Sequence, residues 1–169
     1  MARTNAKSSA RRASRRTAPK QPAARKRGSR VRTKARPPQR FVVSHHRDED
    51  FQGGLRSYAN YRDLGIADAT NGMVRAHVIR FLPPCRPQEV SKRHYHDVDF
   101  QMVYVLKGWI KTELDGQGAI VMRAGSAWIQ PPRIEHVVLD YSDDCEVLEV
   151  ILPADFATVE LDEPPVLSR

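Results

Sequence analysis

Arg93-His94-Tyr95-His96-Asp97-Val98-Asp99-Phe100-Gln101-Met102-Val103-Tyr104-Val105-Leu106-Lys107-Gly108 is the stretch on which the fold turns. It is read together with Gly125-Ser126-Ala127-Trp128-Ile129-Gln130-Pro131-Pro132-Arg133-Ile134-Glu135-His136. Side chains alternate along a strand, so His94 and His96 share one face. Two neutral imidazoles one pleat apart can reach the same ion. An HxH pair alone is weak, since exposed histidines are the commoner cause; the residues that follow make it specific. Gln101 comes next, then Gly108, and His136 stands forty residues beyond His96. By the same alternation Val103 and Val105 share the face of Gln101, so both are expected to line a pocket.

The surrounding chain is punctuated at short, regular intervals. Strands are expected over 73–82, 93–97, 100–106, 109–114, 119–122, 126–130, 136–139 and 146–152. Their separators are turn-formers: Gly108, Asp115-Gly116, Ala124-Gly125, Pro131-Pro132 and Ser142-Asp143-Asp144. Asp-Gly between two alternating runs is a strong hairpin signal. Many short strands with no ten-residue helix among them mean an all-β sandwich or barrel.

Taken together, the two quoted segments resemble the motifs of the cupin superfamily. The first motif runs Gly-x5-His-x-His-x3–4-Glu-x6-Gly and is matched by His94, His96 and Gly108, with Gln101 in the glutamate's place. The second runs Gly-x5-Pro-x-Gly-x2-His-x3-Asn and is matched by Gly125, Pro131 and His136. Three positions depart: Gln88 where the first motif opens on glycine, Arg133 for the second motif's inner glycine, and Asp140 for its asparagine. The look is that of small single-domain bacterial cupins, over about residues 73–156. The resemblance implies one jelly-roll barrel, a double-stranded β-helix, with His94, His96, Gln101 and His136 converging on an interior divalent metal. Iron(II) leads by that resemblance, with Mn, Zn, Ni and Cu as alternatives. For Gln101 a ligand and a hydrogen-bonding neighbour of the ligands both stay open, because an amide is a weak neutral donor.

Outward from the barrel, the charge is uneven. Residues 1–40 hold 15 of the 28 Lys/Arg and no acid, so the other 13 basic residues share the rest of the chain with all 20 acidic ones. The net charge of +8 therefore describes a basic tail on an acidic domain. Built from Arg, Lys, Ala, Ser, Thr and Pro, the tail is expected to be disordered. Three readings of it compete: non-specific, salt-sensitive contact with nucleic acid, a silent extension, or an organelle-targeting peptide. Residues 41–72 form a lead-in packing on the barrel. Within it Phe41-Val42-Val43 is expected as an edge strand, Gly53-Gly54 as a turn, and 61–70 as a short helix closed by Asn71-Gly72. The barrel is expected over 73–158, and 159–169 as a C-terminal tail.

No run reaches the length of a membrane span and no apolar leader follows Met1, so a cytoplasmic protein is expected. Cys85 and Cys145 read as ordinary thiols. His77 reads as structural, His45 and His46 as exposed, and Met102, Tyr104, Trp109 and Trp128 as packing. Glu149 could face either way. Neither a Ser–His–Asp arrangement nor a phosphate loop is recognisable. Two functions are in play. One is a metal-dependent enzyme on a small anionic or chelating substrate, a dioxygenase first and an isomerase or lyase next. The other is a non-catalytic binding or regulatory module whose tail contacts nucleic acid. A homodimer is expected in either case, because pairing would cover strand edges and exposed aromatics.

Overall fold

The computed structural model describes residues 38–161, apart from Leu55 and Ser91. The expectations for the basic tail and for the last eight residues therefore lie outside the described residues. Two antiparallel sheets make the domain. The larger has the order β1-β2-β3-β10-β5-β8, from β1 (Gln52–Gly53), β2 (Ala59–Asp63), β3 (Arg75–Phe81), β10 (Glu146–Leu152), β5 (Phe100–Lys107) and β8 (Ala127–Ile129). The smaller has the order β11-β4-β9-β6-β7, from β11 (Ala157–Glu160), β4 (His94–Asp97), β9 (His136–Tyr141), β6 (Trp109–Leu114) and β7 (Gly118–Arg123). Two single-turn helices, α1 (Ile66–Ala69) and α2 (Pro87–Val90), complete the described chain with a 3-10 turn at Asp48–Asp50. This is the all-β architecture that the spacing of turn-formers predicts, and its two facing sheets agree with the jelly roll that the resemblance implies. Among the described residues no helix is long and apolar enough to cross a membrane.

Alternation places the core. On β5 the alternate residues Gln101, Val103 and Val105 are buried, whereas Tyr104 and Leu106 on the other face are exposed. Val147 and Ile151 of β10 join them from the neighbouring strand, and Phe81, Ile110, Tyr141 and Cys145 fill the space behind. Asp115-Gly116 forms its hairpin as expected: Gly116 has φ 71°, and β6 pairs with β7 down to Leu114 opposite Gly118.

The lead-in departs from its sequence-based reading in three places. Gly53 is not in a turn but in β1, paired with Asn60, and the turn falls at Ser57-Tyr58. Residues 41–43 form no strand, and Phe41 is 95% exposed. No sheet edge takes this segment. It is tethered instead by Arg40 N donating to Ala69 O, and by Arg62 Nη1 donating to Ser44 Oγ and to His45 O. Residues 61–70 hold one turn of helix, not three. Gly65 interrupts the run in the left-handed region at φ 71°, with its N–H on Asp63 Oδ1. Residues 59–63 ahead of it pair with β3, where Tyr61 stands opposite Ile79. Propensity lost to sheet pairing there. The closing turn at Asn71-Gly72 is present, both residues with positive φ. Strand β11 and helix α2 were not expected at all.

Gly108 links β5 to β6 in a single residue, at φ 66°. A Cβ there would stand 2.1 Å from Ser142 Oγ and 2.6 Å from Asp144 Oδ1. Ser142 Oγ cannot simply retreat, since it accepts the N–H of Trp109 at 2.9 Å. Gly108→Ala is expected to cost about 2 kcal/mol from the left-handed backbone and the clash together. A thermal melt checks this; an unchanged melting temperature would show that the link tolerates a side chain.

Candidate metal centre

Three imidazoles meet because a strand and its neighbour supply them in register. His94 and His96 point from the same face of β4, and His94 stands directly opposite His136, the first residue of β9. The ring centroids lie 4.9 Å (His94–His96), 4.3 Å (His94–His136) and 5.2 Å (His96–His136) apart. One ring nitrogen from each lies within 4.8 Å of the others, so the group could hold a metal ion. The second nitrogen is spoken for in every case. His94 Nδ1 meets Lys92 O at 3.0 Å, and His136 Nδ1 meets Ile134 O at 3.0 Å. A carbonyl oxygen only accepts, so both Nδ1 atoms carry the proton and both Nε2 atoms offer a lone pair. His96 Nδ1 lies 2.9 Å from Thr158 Oγ1 on β11; the hydroxyl accepts from Nδ1 in the tautomer that leaves the lone pair on Nε2, the one that matches His94 and His136. Such outer contacts fix tautomer and ring orientation at metal sites.

Electrostatics agrees with that assignment. Burial, then the neighbouring His136, pushes His94 down to about 3, and burial pushes His96 down to about 4. His136 is lowered too, by burial first. All three are therefore neutral at neutral pH, the state a metal needs. An unfolded chain takes up these protons near 6.5, so acidification below that value favours unfolding of the metal-free barrel.

The larger sheet faces this cluster with a second constellation. Gln101 on β5 is 1% exposed, and its Nε2 donates to Glu149 Oε1 on β10 at 2.6 Å. The other carboxylate oxygen lies 2.6 Å from His77 Nε2 on β3. Tyr61 sets its ring edge-on to His77, at 5.4 Å between centroids. Burial alone would raise the Glu149 carboxyl, but the hydrogen bond and charge of His77, with help from Gln101, hold it below its ordinary value.

Between the sheets lies a cavity of about 590 Å³, lined by the three histidines, His77, Glu149 and Val103. Its size suits a small molecule. Val105 is fully buried and packs in the apolar cluster. Gln101 stands behind the wall, turned by its amide nitrogen to Glu149. Trp128, Phe156, Thr158, Thr112, Gln130 and Arg56 complete the parts of the wall that matter below. Four of these carry a buried polar atom with no hydrogen-bond partner: Arg56 Nη2, Thr112 Oγ1, Trp128 Nε1 and Gln130 Nε2. Sequence reading left Glu149 open, took His77 for structural and missed Arg56. For the first two a signal existed. Each interrupts an inward-facing alternation, Val147-x-Glu149-x-Ile151 and His77-x-Ile79-x-Phe81, with a polar residue. Arg56 sits in the loop between β1 and β2, and nothing in its surroundings marks it.

Three neutral imidazoles suit a first-row divalent ion and discriminate little among such ions. Residues 85–151 match the family described as the cupin domain. Among solved structures the chain is similar to KdgF from Halomonas sp., with TM-score 0.52, 22% identity, and coverage of 68% of this chain and 94% of that one. It is similar to the polyketide cyclase RemF from Streptomyces resistomycificus, with TM-score 0.55, 18% identity, and coverage of 73% and 90%. It also resembles an oxalate decarboxylase from Bacillus subtilis with Mn(II) centres, with TM-score 0.52, 15% identity, and coverage of 65% and 30%. At these identities the likeness is one of fold. The search of curated proteins found no match.

Proposed function

We propose that this chain, whose residues 85–151 match the cupin domain family, is a metal-dependent enzyme acting on a small anionic or chelating molecule. The observation that carries the reading is the set of three imidazoles held neutral, with each Nδ1 engaged and each Nε2 free. His94, His96 and His136 would hold the ion through Nε2. Gln101 has only its carbonyl oxygen left to offer, since its nitrogen is committed to Glu149. A divalent ion held there, iron(II) foremost, would supply Lewis acidity and, if iron, redox chemistry. Three neutral imidazoles bring no charge of their own to offset the ion's, so even with Glu149 across the cavity the site stays cationic, which favours an anionic substrate. The protein's own part is to bind and exclude water. Phe156 packs edge-on to His96 at 5.4 Å, and Trp128, Val103 and Val138 make the apolar wall. Glu149 is held ionised and oriented by His77 and Gln101, so a fixed negative charge faces the histidines across the cavity. Oxidative cleavage by a dioxygenase is the leading reaction, with isomerisation or elimination next. The Mn(II) centres of the oxalate decarboxylase neighbour support a divalent metal on this fold without choosing the reaction.

The test is metal analysis of freshly purified protein, followed by turnover. Iron(II)- and manganese(II)-loaded samples are given 1,3-diketones, thiols, and 2-oxo and 2-hydroxy acids, with O2 uptake and product formation followed. About one metal per chain and turnover of at least one compound are expected. A compound that raises the melting temperature and is recovered unchanged, with no turnover across the panel, would replace the enzyme by the binding module.

A further inference from the structure

The cavity wall presents donors for which the fold supplies no acceptor. Arg56 donates through Nη1 to Glu160 Oε1 at 2.8 Å, and its side chain is 11% exposed. Its Nη2 is buried, unpartnered, and belongs to a residue of the cavity wall. The guanidinium shares the cavity wall with the three imidazoles. Trp128 Nε1 and the Gln130 amide nitrogen are unpartnered in the same way, on the side of the larger sheet. Arginine and tryptophan can only donate. A buried donor without an acceptor is costly, so several around one cavity are a feature of a site and not of a packed core. The nearby carboxylate does not answer them, because Glu149 already commits one oxygen to Gln101 and the other to His77.

We propose that Arg56 anchors a carboxylate of the ligand, so that the molecule is an organic acid bearing an anionic group apart from the oxygens that meet the histidine cluster. Trp128 and Gln130 donate to further oxygens of the same molecule. A guanidinium edge matches a carboxylate in geometry and charge, and its burial strengthens the bond. Glu160 holds the other nitrogen and so fixes the guanidinium in place. The second end of the inference, the chelating one, rests on the metal reading above; the Arg56 end does not.

The experiment uses full-length manganese(II)-loaded protein and calorimetric titration with matched pairs of four, five and six carbons. In each pair a 2-oxo diacid is set against the 2-oxo monoacid of equal length, as 2-oxoglutarate against 2-oxopentanoate. In the best pair the diacid is expected to bind at least about tenfold tighter, a difference of roughly 1.4 kcal/mol. Arg56→Ala should bring that ratio to near one while leaving the monoacid's Kd and the manganese content unchanged. Glu160→Gln should keep most of the ratio, because the guanidinium remains. A wild-type ratio near one in all three pairs, a ratio that survives Arg56→Ala, or its equal loss in Glu160→Gln would overturn the assignment. If the protein holds no manganese, the metal reading fails by itself. The same ratio is then read with glutarate against pentanoate on the metal-free chain, and its dependence on Arg56 decides the inference as before.

Discussion

Replacing His94, His96 or His136 by alanine should each strip most of the bound metal and leave the barrel folded. Each histidine supplies one of three strong donors. With one gone, the remaining two imidazoles and a neutral amide bind a first-row divalent ion weakly. The fold survives because its cohesion lies elsewhere, in the apolar core that includes Val103, Val105, Val147, Ile151 and Phe81. In the metal-free barrel, losing a buried imidazole even removes a group that resists protonation, so the variants should lose less stability in acid than wild type does. Gln101→Ala should behave differently. Three imidazoles suffice to keep the ion, so its metal loss should be modest, about tenfold against a hundredfold or more for the histidine variants. Metal stoichiometry after dialysis, with circular dichroism for folding, reads both effects. Full retention of metal in all three histidine variants would remove the metal site altogether. A loss in Gln101→Ala equal to that in His136→Ala would make Gln101 an indispensable ligand.

The legible part of the site was the part that obeys one strand's alternation. His94 and His96 announce a shared face, and His136 is placed by the second motif; pairing of β4 with β9 then brings it directly opposite His94. The barrel was legible for a similar reason, since its turns are marked by Gly108, Asp115-Gly116 and Pro131-Pro132 where the chain reverses. What escaped depends on contacts between distant strands. The outer support of His96 comes from Thr158, sixty-two residues away on β11, a strand whose short Ala-Thr-Val-Glu run carries no turn signal to set it apart. The role of His77 depends on standing opposite Glu149 in the β3–β10 register. Arg56 is set by a loop and by a partner more than a hundred residues later. In the lead-in, helix propensity after Tyr61 was overruled by the free edge of β3, which no local pattern reveals.

Exchanging the residues at 101 and 149 should give the strongest non-additive effect in the molecule. The cupin motif has a glutamate where this chain has Gln101, and the chain's carboxylate stands one strand over, at Glu149. From sequence alone, a carboxylate at 101 should simply tighten metal binding, as a better ligand for a hard cation. The structure changes that expectation for the single variant. Gln101→Glu would set a second carboxylate about where Nε2 now donates, 2.6 Å from Glu149 Oε1, in a buried place. Two like charges at that distance cannot both ionise, and the lost hydrogen bond adds to the cost, about 3 kcal/mol together. Glu149→Gln alone keeps an acceptor for His77 and sets one amide against another, for a smaller loss of about 1–2 kcal/mol. In the double variant the chain of hydrogen bonds can run the other way. The amide at position 149 then donates to the carboxylate at position 101, and its oxygen still faces His77. Most of the stability should return, giving a coupling energy of about 2 kcal/mol or more in a double-mutant cycle. The restored carboxylate would then stand beside the three imidazoles, and metal affinity should exceed that of wild type. Denaturant melts of the four metal-free proteins give the coupling, and metal titration of the folded ones gives the affinity. Losses that simply add, to within about 0.5 kcal/mol, would mean that Gln101 and Glu149 do not act as one unit.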